Sequence, residues 1–149
     1  MYNNTPITRY NNVNRSSERY NSAINAPLEK TKKISDLNVN EAENFVKTKL
    51  INDKGKIVIT TSQIRKFLSA VNCLENKVLG VDELSEELLN EIKYLKVKLA
   101  YQAGREKKIK TLYNELEPLI NQISDKNDFT KVARYIEAIV AYHKFNGGE

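Results

Sequence analysis

Ser85-Glu-Glu-Leu-Leu-Asn-Glu-Ile-Lys-Tyr-Leu-Lys-Val-Lys-Leu-Ala-Tyr-Gln-Ala-Gly-Arg105 is the stretch that decides the fold class. Leu88, Leu89, Ile92, Leu95 and Leu99 recur at helical spacing, which gathers them into one apolar stripe at about 100° per residue. A helix is predicted to start after Asp82 or Ser85 and to run to about Ala103, with Gly104 as its C-cap. The stretch is also electrically lopsided. Asp82, Glu83, Glu86, Glu87 and Glu91 cluster at its start, whereas Lys93, Lys96, Lys98, Arg105, Lys107, Lys108 and Lys110 follow against Glu106 alone. The helix dipole favours acid at the N-terminus and base at the C-terminus. It does not account for a basic run that continues through the loop into the next helix.

The same period repeats on both sides. Ala42, Phe45, Val46 and Leu50 predict a helix over residues 41–51, and Asp53-Lys54-Gly55 a turn after it. Ile57-Val58-Ile59 is too short to promise a sheet. Thr60 or Thr61 is suited to cap a helix carrying Ile64, Phe67, Leu68, Val71 and Leu74 on one face and ending at Gly80. Further on, residues 106–123 read as a helix that Pro118 should kink or split. Asp128 is then expected to cap a last helix through Lys144, with Phe129, Val132, Ala133, Ile136, Ile139 and Val140 facing the core and Gly147 beyond its end. The expectation is all-α: a compact bundle of about five helices over residues 39–149. Residues 1–38 lack apolar periodicity, are rich in asparagine, and carry six basic residues against three acidic ones, so they read as a flexible basic tail.

Composition narrows the function. A net charge of +5 and a pI near 9.2 suit an anionic partner such as nucleic acid, or an acidic protein face. One cysteine, Cys73, allows no internal disulfide, and one histidine beside it gives no zinc set. No glycine-rich phosphate loop is present, and no run approaches the roughly 20 apolar residues of a membrane span. We therefore expect no metal, no cofactor, no catalytic constellation and a cytoplasmic location.

Tyr94, Lys98, Tyr101 and Arg105 project within one sector, nearly opposite the leucine stripe, provided the helix continues past Gly104. Basic groups interleaved with aromatics can neutralise phosphates and stack on bases or riboses. Alternatively, Tyr94, Val97 and Tyr101 pack against another helix of the chain. Lys66 and Lys77 share one side of the second helix and gain meaning only if the fold sets them beside Lys98 and Arg105. His143 falls in line with Ile136 and Val140, as a packed histidine would, against the weaker alternative of an RNA contact or a catalytic role.

Three strings taken together carry a family resemblance: Thr60-Thr-Ser-Gln-Ile-Arg-Lys-Phe-Leu68, Tyr94-Leu-Lys-Val-Lys-Leu-Ala-Tyr-Gln-Ala-Gly-Arg105, and Glu137-Ala-Ile-Val-Ala-Tyr-His-Lys-Phe145 followed by Gly147-Gly148. In this order and at these separations the chain resembles the small subunit of the type III-A CRISPR Csm effector complex, over residues 38–149. Asn146 departs from the pattern, which leads one to expect an aromatic or a basic residue there. The resemblance implies a helical bundle, stacked in several copies within a ribonucleoprotein and lining the guide RNA and its paired target RNA. Nuclease and cyclic-nucleotide synthesis would belong to other subunits. Carried over by position, it implies RNA contacts at Arg65, Lys66, Lys96, Lys98, Arg105 and Lys144, with Tyr101 stacking or offering its hydroxyl. Other Csm subunits and neighbouring copies would be the protein partners. A helical protein–protein adaptor that never touches nucleic acid is the competing reading.

Overall fold

Helix caps decide where the elements of this chain begin. The structure, a computed structural model, describes residues 31–148. Helix α1, Val39–Phe45, starts at Asn38, whose side chain accepts from the Glu41 N–H, and its last turn widens to π geometry over Val46–Leu50. Helix α2, Thr61–Leu79, is opened by a reciprocal capping box. The Thr60 hydroxyl accepts from the Gln63 N–H at 3.4 Å, and the Gln63 Oε1 accepts from the Thr60 N–H at 2.9 Å. Helix α3, Glu86–Lys93, is capped by Ser85, and α4 covers Leu95–Arg105. A 3₁₀ turn at Lys107–Ile109 leads into α5, Lys110–Gln122, and α6 runs from Lys126 to Phe145. Among the described residues there is no strand, only an isolated antiparallel bridge between Ile51 and Ile57. The all-helical bundle expected from periodicity is the observed fold.

Helix α6 is the spine, packed against α1 and α2 on one side and meeting α5, which itself lies along α4. Its inward positions Phe129, Val132, Ala133, Ile136 and Ile139 are all buried, as are Ile64, Phe67 and Val71 of α2. Leu95 and Leu99 of α4 close the core against Leu112, Leu116 and Leu119 of α5. Each large aliphatic or aromatic side chain fully withdrawn from water contributes about 1.5–3 kcal/mol.

Four expectations are corrected. The predicted third helix is two, interrupted at Tyr94, which serves as C-cap of α3 and N-cap of α4. Gly104 does not end α4, which continues through Arg105 with Glu106 as its cap. Pro118 neither splits nor ends α5. The carbonyl that proline deprives of a partner is that of Asn114, an exposed residue that water can serve, while buried Leu116, Leu119 and Ile120 hold the turns on either side. Helix α6 begins earlier than predicted. Asp125 is its cap, accepting from the Asp128 N–H, and Asp128 reaches back to Ser124.

Residues ahead of α1 also pack onto the bundle. The packed body begins at Lys32, Ile34 is buried, and a 3₁₀ turn covers Ile34–Asp36. The Lys32 ammonium donates to Glu115 at 2.6 Å and to the Tyr135 hydroxyl at 2.8 Å, and pairs with Glu41 at 3.3 Å. The backbone carbonyl of Lys32 accepts from Gln122, so side chains of α5 and α6 hold this segment. The rest of the predicted tail, residues 1–30, lies outside the described residues. Deleting residues 1–36 is therefore expected to lower the melting temperature clearly more than deleting residues 1–30. Equal melting temperatures for the two truncations would refute that role for Lys32 and Ile34.

Candidate nucleic-acid interface

The basic residues singled out in the sequence come from three helices. Arg65 and Lys66 sit on the exposed side of α2, one turn past its capping box. Lys98, Tyr101 and Arg105 lie on α4, which packs beside α2. Lys144 lies in the last turn of α6, also against α2. Because α2 touches both partners, Lys66 is common to two adjoining grooves.

The larger of these grooves, about 820 Å³, runs between α2 and α4 and is lined by Lys66, Tyr94, Val97, Lys98, Tyr101 and Arg105, with Gln63, Gln102 and Glu106 at its polar margin. The smaller, about 530 Å³, lies between α2 and α6 and includes Arg65, Lys66 and Lys144. Arg105 stands over the Tyr101 ring with its guanidinium carbon 5.8 Å from the ring centroid. At that distance the ring face attracts the cation while the guanidinium N–H groups stay available. None of Arg65, Lys66, Lys98, Arg105 or Lys144 is within ion-pairing distance of a carboxylate among the described residues.

The two sequence readings of the α4 aromatics now separate. Tyr94, Val97 and Tyr101 are 56%, 45% and 67% exposed, so no helix among the described residues covers them. They are exposed apolar and aromatic surface lining the same groove as Lys66, Lys98 and Arg105. Lys96 goes elsewhere: it faces α5 and donates to the side-chain amide oxygen of Asn121, Oδ1, at 2.7 Å. Lys77 also stays out of this groove, pairing with Glu91 at 2.5 Å. That hydrogen bond holds the Lys77 ammonium above the usual lysine range. The pair lies in a separate groove between α2 and α3, lined by Cys73, Glu86, Glu87 and Glu91 and touching the first only through Tyr94 and Lys98. The acidic cluster of α3 therefore lines a different groove from Lys66 and Arg105.

His143 is wholly buried, and its Nε2 lies 2.7 Å from the Ile59 carbonyl. A carbonyl only accepts, so Nε2 carries the proton and donates. The ring is a buried packing element that ties α6 to the segment before α2. Gln63, Gln102 and Glu106 line the α2–α4 groove but were not singled out in the sequence. The Thr60-x-x-Gln63 box was the one available signal, and it pointed to a cap.

Among the described residues, no group of three or more histidine, cysteine, aspartate or glutamate side chains could hold a metal ion, and no helix is long and apolar enough to cross a membrane. Comparison with known proteins places this chain in a family. A protein from Streptococcus thermophilus described as "CRISPR system Cms protein Csm2" is 38% identical over 113 residues, covering 74% of this chain and 92% of that protein. Proteins of the same description from Enterococcus italicus and Mycobacterium tuberculosis are 38% and 33% identical, over 58% and 62% of this chain and 67% and 78% of their own lengths. The family model described as Csm2 Type III-A matches residues 31–149, almost the same span as the packed body, and the chain belongs to that family, the type III-A small subunits that its three sequence strings resemble.

Proposed function

We propose that this chain is a non-catalytic scaffold subunit of a type III-A CRISPR ribonucleoprotein that binds the backbone of guide RNA and of the target RNA paired with it. One observation carries the reading. Lys66, Lys98 and Arg105, from two helices far apart in sequence, converge on one groove that Tyr94, Val97 and Tyr101 also line. Cations beside exposed aromatic rings suit a polyanion with planar groups, and they bind it through charge and shape. Arg65 and Lys144 extend the cationic surface along the adjoining groove. Other Csm subunits and further copies of this chain are the protein partners proposed for it in the cytoplasm, and the acidic α3 surface faces one of them or solvent.

Removing the charges at Lys98 and Arg105 together is expected to weaken binding to unrelated RNA sequences by similar factors. It should also flatten the slope of log affinity against log salt by roughly 0.7–0.9 per lost phosphate contact. Circular dichroism should not change, because both side chains are exposed. Neutralising Glu86, Glu87 and Glu91 is expected to leave RNA binding undiminished. A double variant with wild-type affinity and wild-type slope would refute the groove as an RNA site. The exposed apolar surface, Val97 at 45% and Tyr94 at 56%, also suits a second reading, a protein–protein adaptor. That reading predicts no salt-dependent RNA binding at all.

A further inference from the structure

The α2–α4 groove contains one residue that a simple phosphate clamp would not place there. Glu106 is the only carboxylate among its lining residues and is exposed. Arg105, Lys107 and Lys108 flank it in sequence, yet it forms no ion pair among the described residues. It is held instead by a neutral group, the side-chain amide of Gln63, whose Nε2 donates to Glu106 Oε2. That amide cannot turn over, because its Oε1 already accepts the Thr60 N–H in the capping box of α2. A helix cap thus fixes an amide, and the amide fixes a carboxylate at the edge of a cationic groove. The second carboxylate oxygen, Oε1, carries no hydrogen bond among the described residues.

A carboxylate can only accept hydrogen bonds, and beside phosphates it repels. It is tolerated against a nucleic-acid backbone only where that backbone offers a donor. A DNA sugar–phosphate backbone has none. RNA has one per nucleotide, the ribose 2′-hydroxyl, which is the group that lets a protein tell the two polymers apart at a given site. We infer that Glu106, held by Gln63, accepts a hydrogen bond from a ribose 2′-hydroxyl and makes this groove selective for RNA over DNA. The inference rests on the groove being the RNA site proposed above. It adds a specificity element to what charge alone would leave indifferent to the sugar.

The test uses the full chain and three single-stranded oligonucleotides of one sequence, bearing 2′-hydroxyl, 2′-fluoro or 2′-hydrogen sugars. The fluoro sugar keeps the RNA pucker but cannot donate, so it separates shape from donation. Wild-type protein is expected to prefer hydroxyl over fluoro by about tenfold, the effect of one hydrogen bond to a charged acceptor. In Glu106→Ala the two are expected to bind within about twofold of each other. Fluoro and hydrogen oligonucleotides should bind at least as tightly as they bind wild type, since a repelling charge is gone. Gln63→Ala, which frees the carboxylate without removing it, should give an intermediate ratio. The inference is overturned if wild type does not distinguish hydroxyl from fluoro, or if Glu106→Ala keeps the wild-type ratio. Failure of the groove itself looks different: no salt-slope change on removing Lys98 and Arg105 would overturn both readings, whereas a normal salt response with an unchanged sugar ratio overturns the role of Glu106 alone.

Discussion

Raising the pH above about 10 is expected to destabilise this protein through Tyr135. Its side chain is buried, and its hydroxyl donates to Glu115 at 2.5 Å while accepting from Lys32 at 2.8 Å. Burial first, and then the hydrogen bond to a carboxylate that cannot accept a second negative charge beside it, push the phenol well above the usual tyrosine range. The folded state therefore keeps a proton that the unfolded chain releases near pH 10. Stability linked to Tyr135 is fully present below that pH and is lost as pH rises toward the folded-state value, at a slope approaching about 1.4 kcal/mol per pH unit. Tyr135→Phe removes the titrating group together with its hydrogen bonds. It is expected to be less stable than wild type at pH 7 by about 1–2 kcal/mol and to lose stability more slowly above pH 10, so that the two curves converge. Urea titrations from pH 8 to 12 would measure both. Parallel curves across that range would show that alkaline unfolding runs through other groups.

His143→Ala should have the larger effect at neutral pH. The imidazole is fully buried, and its Nε2–H satisfies the Ile59 carbonyl, which belongs to the segment joining α1 to α2. Truncation leaves that carbonyl without its donor and opens a cavity between α6 and the start of α2. The combined loss is about 2–4 kcal/mol, or on the order of 10 °C in melting temperature. RNA binding by the protein that remains folded is expected to be nearly unchanged, since the ring does not reach either groove. A variant of wild-type stability with impaired RNA binding would reverse the assignment.

The helices were legible in the sequence because their apolar residues keep one period over three or more turns. Ile64, Phe67, Val71 and Leu74, or Leu112, Leu116 and Leu119, can be read without knowing what they pack against. The break at Tyr94 was not legible, because no glycine or proline marks it and the leucine stripe passes straight through. The anchoring of Lys32 and Ile34 was hidden for another reason. A single apolar residue in a polar run has no period, and the partner Glu115 lies 83 positions away. At the candidate site, Lys98, Tyr101 and Arg105 could be grouped by helical angle alone, whereas Lys66 joined them only once α2 was seen beside α4. Lys96 shows the limit of carrying residues over by position: it has the right charge on the right helix, on the side turned toward α5. Glu106 escaped because a lone acid in a basic run reads as ordinary surface. Its meaning lies in Gln63, 43 positions upstream.

The chain beyond α6 turns back at Gly147, whose φ of 89° few other residues adopt, and lays Gly148 over the His143 ring, where a Cβ would come within 2.2 Å of Cε1. Gly148 is held there by two bonds, its N–H to the His143 carbonyl at 3.0 Å and its carbonyl to the Lys144 ammonium at 3.1 Å. For anyone labelling the protein, this makes Gly148 a fixed address. A small dye attached beyond Gly148 is tethered beside Lys144, which lines the α2–α6 groove, and should change its anisotropy when that groove fills. A bulky affinity tag, or immobilisation on a sensor chip through the same end, would shield the groove and depress apparent affinity.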